Sequence, residues 1–114
     1  MKKKKQNENY LERKPAKNPD INWTVDDKGV VTLEIENKGA FNRVAQKLLK
    51  KPKISYIHLD EMGSFVWPII DGATDITALG EKVEEHFGEK AHPLYERLSK
   101  YIQILERYNF VKFN

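Results

Sequence analysis

The sequence predicts an α+β fold, a small antiparallel three-stranded sheet with three C-terminal helices and one inserted helix. Two apolar runs with a period of two flank an Asp/Gly turn, and three apolar stripes with helical spacing fill the C-terminal half. The 114 residues are enough for one compact core. No apolar run approaches the roughly 20 residues that cross a bilayer, so no membrane association is expected.

A β-hairpin is predicted from residue 21 to residue 35. Its two runs are separated by Asp26-Asp27-Lys28-Gly29, a composition typical of a tight turn. Strict alternation of this kind predicts strands with one buried face. The apolar positions are Ile21, Trp23, Val25, Val31, Leu33 and Ile35.

A basic amphipathic helix is predicted over residues 40–50, before the third strand. Its apolar residues share one stripe, and Pro52 would close it because proline disfavours helical geometry in the residue before it. Residues 38–53 carry six Lys or Arg and no acid, a charge of +6. This block fits either a solvated helix face or an anion-binding patch.

A third strand is predicted over residues 54–59, which are mainly β-branched and aromatic. Asp60 and Asp75 are the expected N-caps of the next two helices. Pro68 falls well inside the first of these helices, where it should remove a backbone hydrogen bond and introduce a bend.

The ends of the C-terminal helices are also predicted from residue type. Gly72 suits the left-handed position after the first helix, Gly88 ends the second, and Pro93 suits the first turn of the third. Residues 110–113 are expected to be extended and to pack on the sheet. This layout is that of a winged helix-turn-helix, which leaves function open. The third helix has the longest apolar stripe: Leu94, Leu98, Tyr101, Ile102, Leu105 and Tyr108.

Residues 1–20 are predicted to be a flexible basic segment, and residues 21–114 the folded domain. Lys2–Lys5 are followed by polar residues instead of an apolar segment, so we expect no signal peptide and a cytoplasmic location. The excess positive charge of the whole chain lies largely in this segment.

The sequence contains no recognisable catalytic or metal-binding motif. It has no cysteine, and none of His58, His86 and His92 has the spacing of a two-histidine ligand pair. Ser64 lacks the second glycine of a nucleophile elbow. We therefore expect a binding module without a cofactor, and not an enzyme.

One stretch is more specific than the layout. From Ile57 the chain reads IHLDEMGSFVW, then Ile69-Ile70-Asp71-Gly72, and it closes with residues 105–111 of the amphipathic last helix. This order resembles the PqqD family over about residues 54–112. Asn109 stands where glycine is usual, and asparagine also tolerates the left-handed conformation. The basic helix 40–50 is not part of the minimal family pattern.

The resemblance implies a non-catalytic chaperone that binds the leader of a ribosomally made precursor peptide. Such a domain presents the precursor to a modifying enzyme, often a radical S-adenosylmethionine (SAM) enzyme. The leader would add as a strand to the edge of the third strand and lie against the last helix. Lys50, Lys51 and Lys53 would then attract acidic leader residues. The implied peptide-binding residues are Lys53, Ile54, Ser55, Tyr56, Ile57, His58, Tyr95, Leu98, Tyr101, Ile102 and Leu105.

Two alternatives to peptide binding stay open. A winged helix can bind DNA, although the second helix carries four acids against Lys82, which is unfavourable next to phosphates. The third helix, with Arg97, Lys100 and Arg107, could serve instead. An exposed strand edge could also pair with a second copy of the chain to form a homodimer.

Overall fold

In the part of the chain that the structure describes, the fold consists of two small antiparallel sheets and three helices. A computed structural model describes residues 10–37 and 53–114. Two 3₁₀ turns, Tyr10–Glu12 and Gly88–Ala91, accompany the main elements. In chain order these elements are β1 (Pro15–Lys17), β2 (Asn22–Val25), β3 (Val31–Asn37), β4 (Lys53–His58), α1 (Glu61–Ile69), α2 (Ile76–Phe87), α3 (Leu94–Arg107) and β5 (Val111–Phe113).

The larger sheet has the strand order β2-β3-β4 and is antiparallel throughout. Trp23 pairs with Leu33, and Leu33 pairs with Ile57 on the other side. The predicted hairpin is confirmed as β2–β3, and the predicted third strand is β4. Its turn is closed by the Asp26 carboxylate, which accepts hydrogen bonds from the backbone N–H groups of Lys28 and Val30, each at 2.9 Å.

The core lies between one face of this sheet and the three helices. Val31 and Leu33 from β3 and Trp67 from α1 are fully buried. The ring of Trp67 meets that of Trp23 edge to face, with centroids 6.4 Å apart. Burial of such aromatic and branched side chains supplies the main driving force for folding. The predicted winged-helix arrangement with a small antiparallel sheet is confirmed.

Both predicted helix caps are present. The Asp60 carboxylate accepts a hydrogen bond from Gly63 N, and the Asp75 carboxylate accepts one from Ala78 N, each at 2.8 Å. Helix α1 ends at Ile69, one residue after Pro68, so this proline lies in the last turn instead of well inside the helix. Because only the first turn of a helix has N–H groups without an intrahelical partner, proline at this position still removes the hydrogen bond to the carbonyl four residues earlier, and the helix ends one residue later.

The prediction of a flexible segment over residues 1–20 is wrong for residues 10–20. Residues 10–12 form a 3₁₀ turn, and β1 pairs with β5 in a second sheet. Residues 110–113 were expected to pack on the first sheet, but β5 instead pairs with β1. The pairing had no local signal because its partners lie about 95 residues apart. Residues 1–9 and the predicted helix 40–50 lie outside the described residues.

No helix in the described ranges is long and apolar enough to cross a membrane.

Candidate functional site

β4 is an edge strand of the larger sheet. Within residues 10–37 and 53–114, β3 pairs with one side of β4 and no strand pairs with the other. Leu59 N donates to Val31 O at 2.9 Å, so Leu59 and Val31 form a hydrogen-bonded pair of the ladder. Because such pairs alternate along antiparallel strands, the backbone N–H and C=O groups of the odd-numbered residues of β4 point towards β3. The N–H and C=O groups of Ile54, Tyr56 and His58 therefore point to the open side. No described strand pairs with these groups, and unpaired groups of this kind can pair with an added strand.

The two faces of β4 differ in their surroundings. Ser55 and Ile57 pair with Ile35 and Leu33, and so they share the face that packs on the helices. Ile54, Tyr56 and His58 lie on the opposite face, where Tyr56 is 60% exposed. His58 Nδ1 lies 2.7 Å from the hydroxyl of Thr32 on that face. The sequence alone does not determine which residues of β4 face the helices. The observed pairing places Ser55 and Ile57 on that side.

Three of the residues predicted to contact the leader belong to the core. Leu98 and Ile102 are fully buried, and Leu105 is 3% exposed. They point from α3 into the space between the sheet and the other helices, which leaves no surface for a ligand. Their assignment to the groove is therefore corrected to a packing role.

Tyr95 is also placed differently from the prediction. It lies on the flank of α3 that faces α2, where its hydroxyl donates to Thr77 O at 3.0 Å. Its ring covers Gly80. Tyr95 therefore does not face β4, and its assignment to the groove is corrected.

Tyr101 lies on the opposite flank of α3, towards β4 and the start of α1. Its hydroxyl donates to Gly63 O at 3.1 Å, and its ring lies against Gly63 next to Leu59, the residue that follows β4. Burial, with a smaller contribution from the Asp60 carboxylate, raises the pKa of Tyr101. Tyr101 thus anchors α3 beside the end of the edge strand and offers only part of its ring to a ligand.

Two residues that the prediction omitted from the site continue this flank. Ile104 is 45% exposed and Tyr108 is 62% exposed. Tyr108 lines a cavity of about 390 Å³ together with Ile35, the partner of Ser55. Tyr101 precedes Ile104 by one helical turn, Tyr108 follows it by one turn, and both tyrosines face the sheet. Ile104 therefore lies on the same flank of α3. The i, i+3, i+7 spacing of these three residues was the available signal.

The lysines proposed to attract acidic leader residues are mostly outside the described ranges. Lys50 and Lys51 fall there, whereas Lys53 begins β4 and pairs with Asn37 across the ladder. On α2, Glu81 and Glu85 are exposed, while Arg97, Lys100 and Arg107 are exposed on α3. Because α2 also carries Lys82 and Glu84, and α3 also carries Glu96 and Glu106, the formal charge is −2 on α2 and +1 on α3.

The described ranges contain no group of three or more His, Asp or Glu side chains placed to hold a metal ion. His92 Nε2 lies 2.6 Å from the Glu84 carboxylate, and the ring of His86 stacks on Phe65 with centroids 4.4 Å apart. These histidines are thus occupied by protein contacts.

Comparison with known proteins identifies one family. The family model described as coenzyme PQQ synthesis protein D (PqqD) matches residues 30–111. The match begins before residue 54, where the sequence resemblance starts, and so includes β3. No curated protein and no solved structure matches the chain. Because the family model spans both strands of the open-edged ladder, all three helices and the first residue of β5, the chain belongs to the PqqD family.

Proposed function

We propose that this chain binds the leader of a ribosomally made precursor peptide by adding it as a strand to the open edge of β4. PqqD family membership supports a role as a peptide-binding partner in the biosynthesis of PQQ or of related modified peptides. We further propose that the chain presents the bound precursor to a radical SAM enzyme.

The observation that carries this proposal is the open side of β4 beside an incompletely covered helix flank. Backbone groups of Ile54, Tyr56 and His58 would pair with the leader, which supplies affinity without regard to its sequence. Alternate leader side chains would then face the helix side, where Ile57 and Ile104 are 36% and 45% exposed. Apolar leader residues at every second position would bury this surface.

The chain itself is proposed to be non-catalytic. PqqD family members are accessory proteins, and the leader-binding surface described above contains no paired acid and base. The histidine at the open edge, His58, contacts Thr32 on the outer face, away from α3. The chemistry would reside in the enzyme that receives the precursor.

The experiment is an amide chemical-shift titration of the labelled chain with synthetic leader peptides from candidate precursors. Shifts should concentrate in residues 53–59 and in the Tyr101–Tyr108 flank. Tyr56→Pro removes an N–H that points to the open side while leaving the pairing with β3 intact, since edge strands tolerate proline there. The Tyr56→Pro substitution should therefore abolish leader binding. Tyr56→Ala, which keeps the N–H, is the matched control and should bind within a few-fold of the original chain.

Two results would contradict strand addition. One is equal binding by Tyr56→Pro and Tyr56→Ala, which would place the leader elsewhere. The other is a shift pattern confined to α2 or to the β1–β5 ribbon. A short duplex DNA titrated in parallel tests the DNA-binding alternative, whose signature would be shifts near Arg97 and Lys100 that weaken steeply with salt.

A further inference from the structure

A cleft with an apolar floor lies between α2 and the start of α3. Its volume is about 660 Å³, and its apolar lining, here called the floor, consists of Leu94 and Tyr95. Contacts between the two helices hold this floor in place, since the Tyr95 hydroxyl donates to Thr77 O at 3.0 Å and the Tyr95 ring covers Gly80. An apolar side chain placed in the cleft would bury this surface without rearranging it.

Three carboxylates and one histidine form the rim of this cleft. They belong to Glu81, Glu84, Glu85 and His92, and no Lys or Arg of the described ranges is among the lining residues. His92 Nε2 lies 2.6 Å from the Glu84 carboxylate. Glu81 and Glu85 are exposed and have no hydrogen bond or ion pair with any residue that the structure describes. The rim therefore favours a cation beside the apolar floor.

The rim carboxylates occupy positions that are unfavourable for α2 itself. Helix α2 ends at Phe87, so Glu84 and Glu85 lie in its last turn, where the helix dipole favours cations. Glu81 and Glu85 are four residues apart, a spacing at which like charges repel. The lysine of α2, Lys82, is not among the residues that line the cleft. Local choices that lower stability are typical of functional sites, and a bound cation would relieve both effects.

The cleft and the proposed leader surface lie on opposite flanks of α3. Tyr95 faces α2, where its hydroxyl meets Thr77 O, whereas the Tyr101 hydroxyl donates to Gly63 O on the side of β4. An occupant of the cleft therefore does not cover the open edge of β4. A leader and a second ligand can bind the chain at the same time, as presentation of a precursor requires.

We propose that this cleft docks a partner protein through a basic segment in which arginines flank an apolar residue. The apolar side chain covers Leu94 and Tyr95, while the guanidinium groups meet Glu81 and Glu85. Arginine suits this rim because its planar group can bind a carboxylate with two hydrogen bonds. The partner is the enzyme that receives the precursor. This identification rests on the proposed function, whereas the chemistry of the cleft does not.

The test is an amide chemical-shift titration of the full labelled chain with acetyl-Arg-Leu-Arg-amide. The matched probe replaces each arginine with citrulline, which has nearly the same shape and no charge. The arginine peptide should shift residues 81–85 and 92–95 and bind about ten-fold more tightly than the citrulline peptide. Raising the salt from about 0.01 M to about 1 M shortens the Debye length from about 30 Å to about 3 Å and should remove this difference.

Charge variants show whether the rim carboxylates are responsible. Glu81→Gln with Glu85→Gln should weaken binding of the arginine peptide to the level of the citrulline peptide. The control pair Asp27→Asn with Glu106→Gln removes the same charge from two exposed carboxylates outside the cleft and should leave binding within about two-fold. The rim variant removes a repulsion from α2, so its midpoint in urea should not fall, which separates lost binding from lost folding.

Tyr56→Pro separates this inference from strand addition. This variant should bind the arginine peptide like the original chain, so a failure of leader binding leaves the result for the cleft intact. A leader peptide that binds β4 should not displace the arginine peptide. Equal binding of the two probes, unchanged binding in the rim variant, shifts outside residues 81–95, or displacement by the leader would overturn the proposal.

Discussion

At the scale of single residues, Ser64 joins the first turn of α1 to the sheet. Leu59 N donates directly to Val31 O. The second bond of this pair, from Val31 N to Leu59 O, is replaced by two hydrogen bonds through the Ser64 hydroxyl. Val31 N donates to Ser64 Oγ at 2.9 Å, and Ser64 Oγ donates to Leu59 O at 3.1 Å. One buried side chain therefore satisfies a donor and an acceptor where the β3–β4 ladder ends.

Ser64→Ala should lower the free energy of unfolding by about 1–3 kcal/mol, because it leaves two buried backbone groups unpaired. Urea denaturation measures the change. Ser99→Ala is the matched control on α3, since the Ser99 side chain makes no hydrogen bond to any residue that the structure describes, and it should cause no loss. Equal stability of Ser64→Ala and the original chain would mean that water replaces the hydroxyl.

The end of α3 is decided by another single residue. Asn109 adopts a φ of 64°, the left-handed conformation expected where the family usually has glycine. Phe110 N donates to Leu105 O at 2.8 Å and Asn109 N to Glu106 O at 3.0 Å, which is a Schellman motif. Asn18 from the N-terminal segment then donates to Asn109 O at 2.8 Å. This residue was readable in the sequence because the constraint is local.

At the scale of elements, α2 and α3 approach closely at Gly80. A Cβ on Gly80 would lie 2.7 Å from Cζ of Tyr95, nearer than side-chain atoms approach one another. The same ring is fixed by the bond from its hydroxyl to Thr77 O at 3.0 Å. A small residue on α2 thus sets how close the two helices lie.

Gly80→Ala should destabilise the chain although alanine is the better helix former by about 1 kcal/mol. The clash with Tyr95 has to displace the ring and break its hydrogen bond. In a Tyr95→Ala background the same substitution should stabilise, because only the propensity gain remains. Urea denaturation of the four chains in this double-mutant cycle measures the sign in each background. The same sign in both would refute the packing argument.

At the scale of the whole molecule, the N-terminal segment ties distant parts of the chain together. Gly72 N donates to Pro15 O at 2.8 Å, Ile76 N to Arg13 O at 3.1 Å, and Asn114 N to Lys14 O at 3.0 Å. Residues 10–17 therefore hold the α1–α2 connection against the C-terminal strand. All of this segment lies before residues 30–111, which the family model matches.

Tyr10, Tyr95 and Tyr101 make the folded state sensitive to alkaline pH. Burial, with a smaller contribution from Glu106, raises the pKa of Tyr10 to about 12 from its ordinary value of 10.0. Burial also raises those of Tyr95 and Tyr101. A raised folded pKa means that the phenol holds its proton more tightly when folded. Its contribution to stability is complete below pH 10 and is lost as the pH rises towards the folded value.

The unfolding free energy should therefore fall between about pH 10 and about pH 12. Tyr10→Phe should make this fall shallower, because phenylalanine lacks the phenol whose ionisation destabilises the folded state. Urea denaturation at the two pH values gives the slope for each chain. The comparison between chains is needed because burial lowers the pKa of Lys17, which acts in the opposite direction. An unchanged slope in Tyr10→Phe would contradict the assignment of Tyr10.

The features that the sequence predicted correctly depend on neighbours within a few residues. Alternation at Trp23 and Leu33 predicted the hairpin because a strand turns each successive side chain to the opposite face. Asp60 and Asp75 were readable as caps because a carboxylate reaches an N–H three residues on. The PqqD resemblance was readable because these local features occur in a fixed order.

Long-range packing decided the site. The apolar spacing along α3 predicted which residues share a face of the helix. Which face is buried depends on the elements that pack against it. Hence Leu98 and Ile102 are core, Tyr95 faces α2, and Ile104 remains exposed beside the sheet. The face of β4 was likewise undetermined, because a one-residue shift in pairing exchanges the two sides. The sequence determined local conformation and family, whereas contacts between residues far apart in the chain decided which side chains of the described residues are buried and which are exposed.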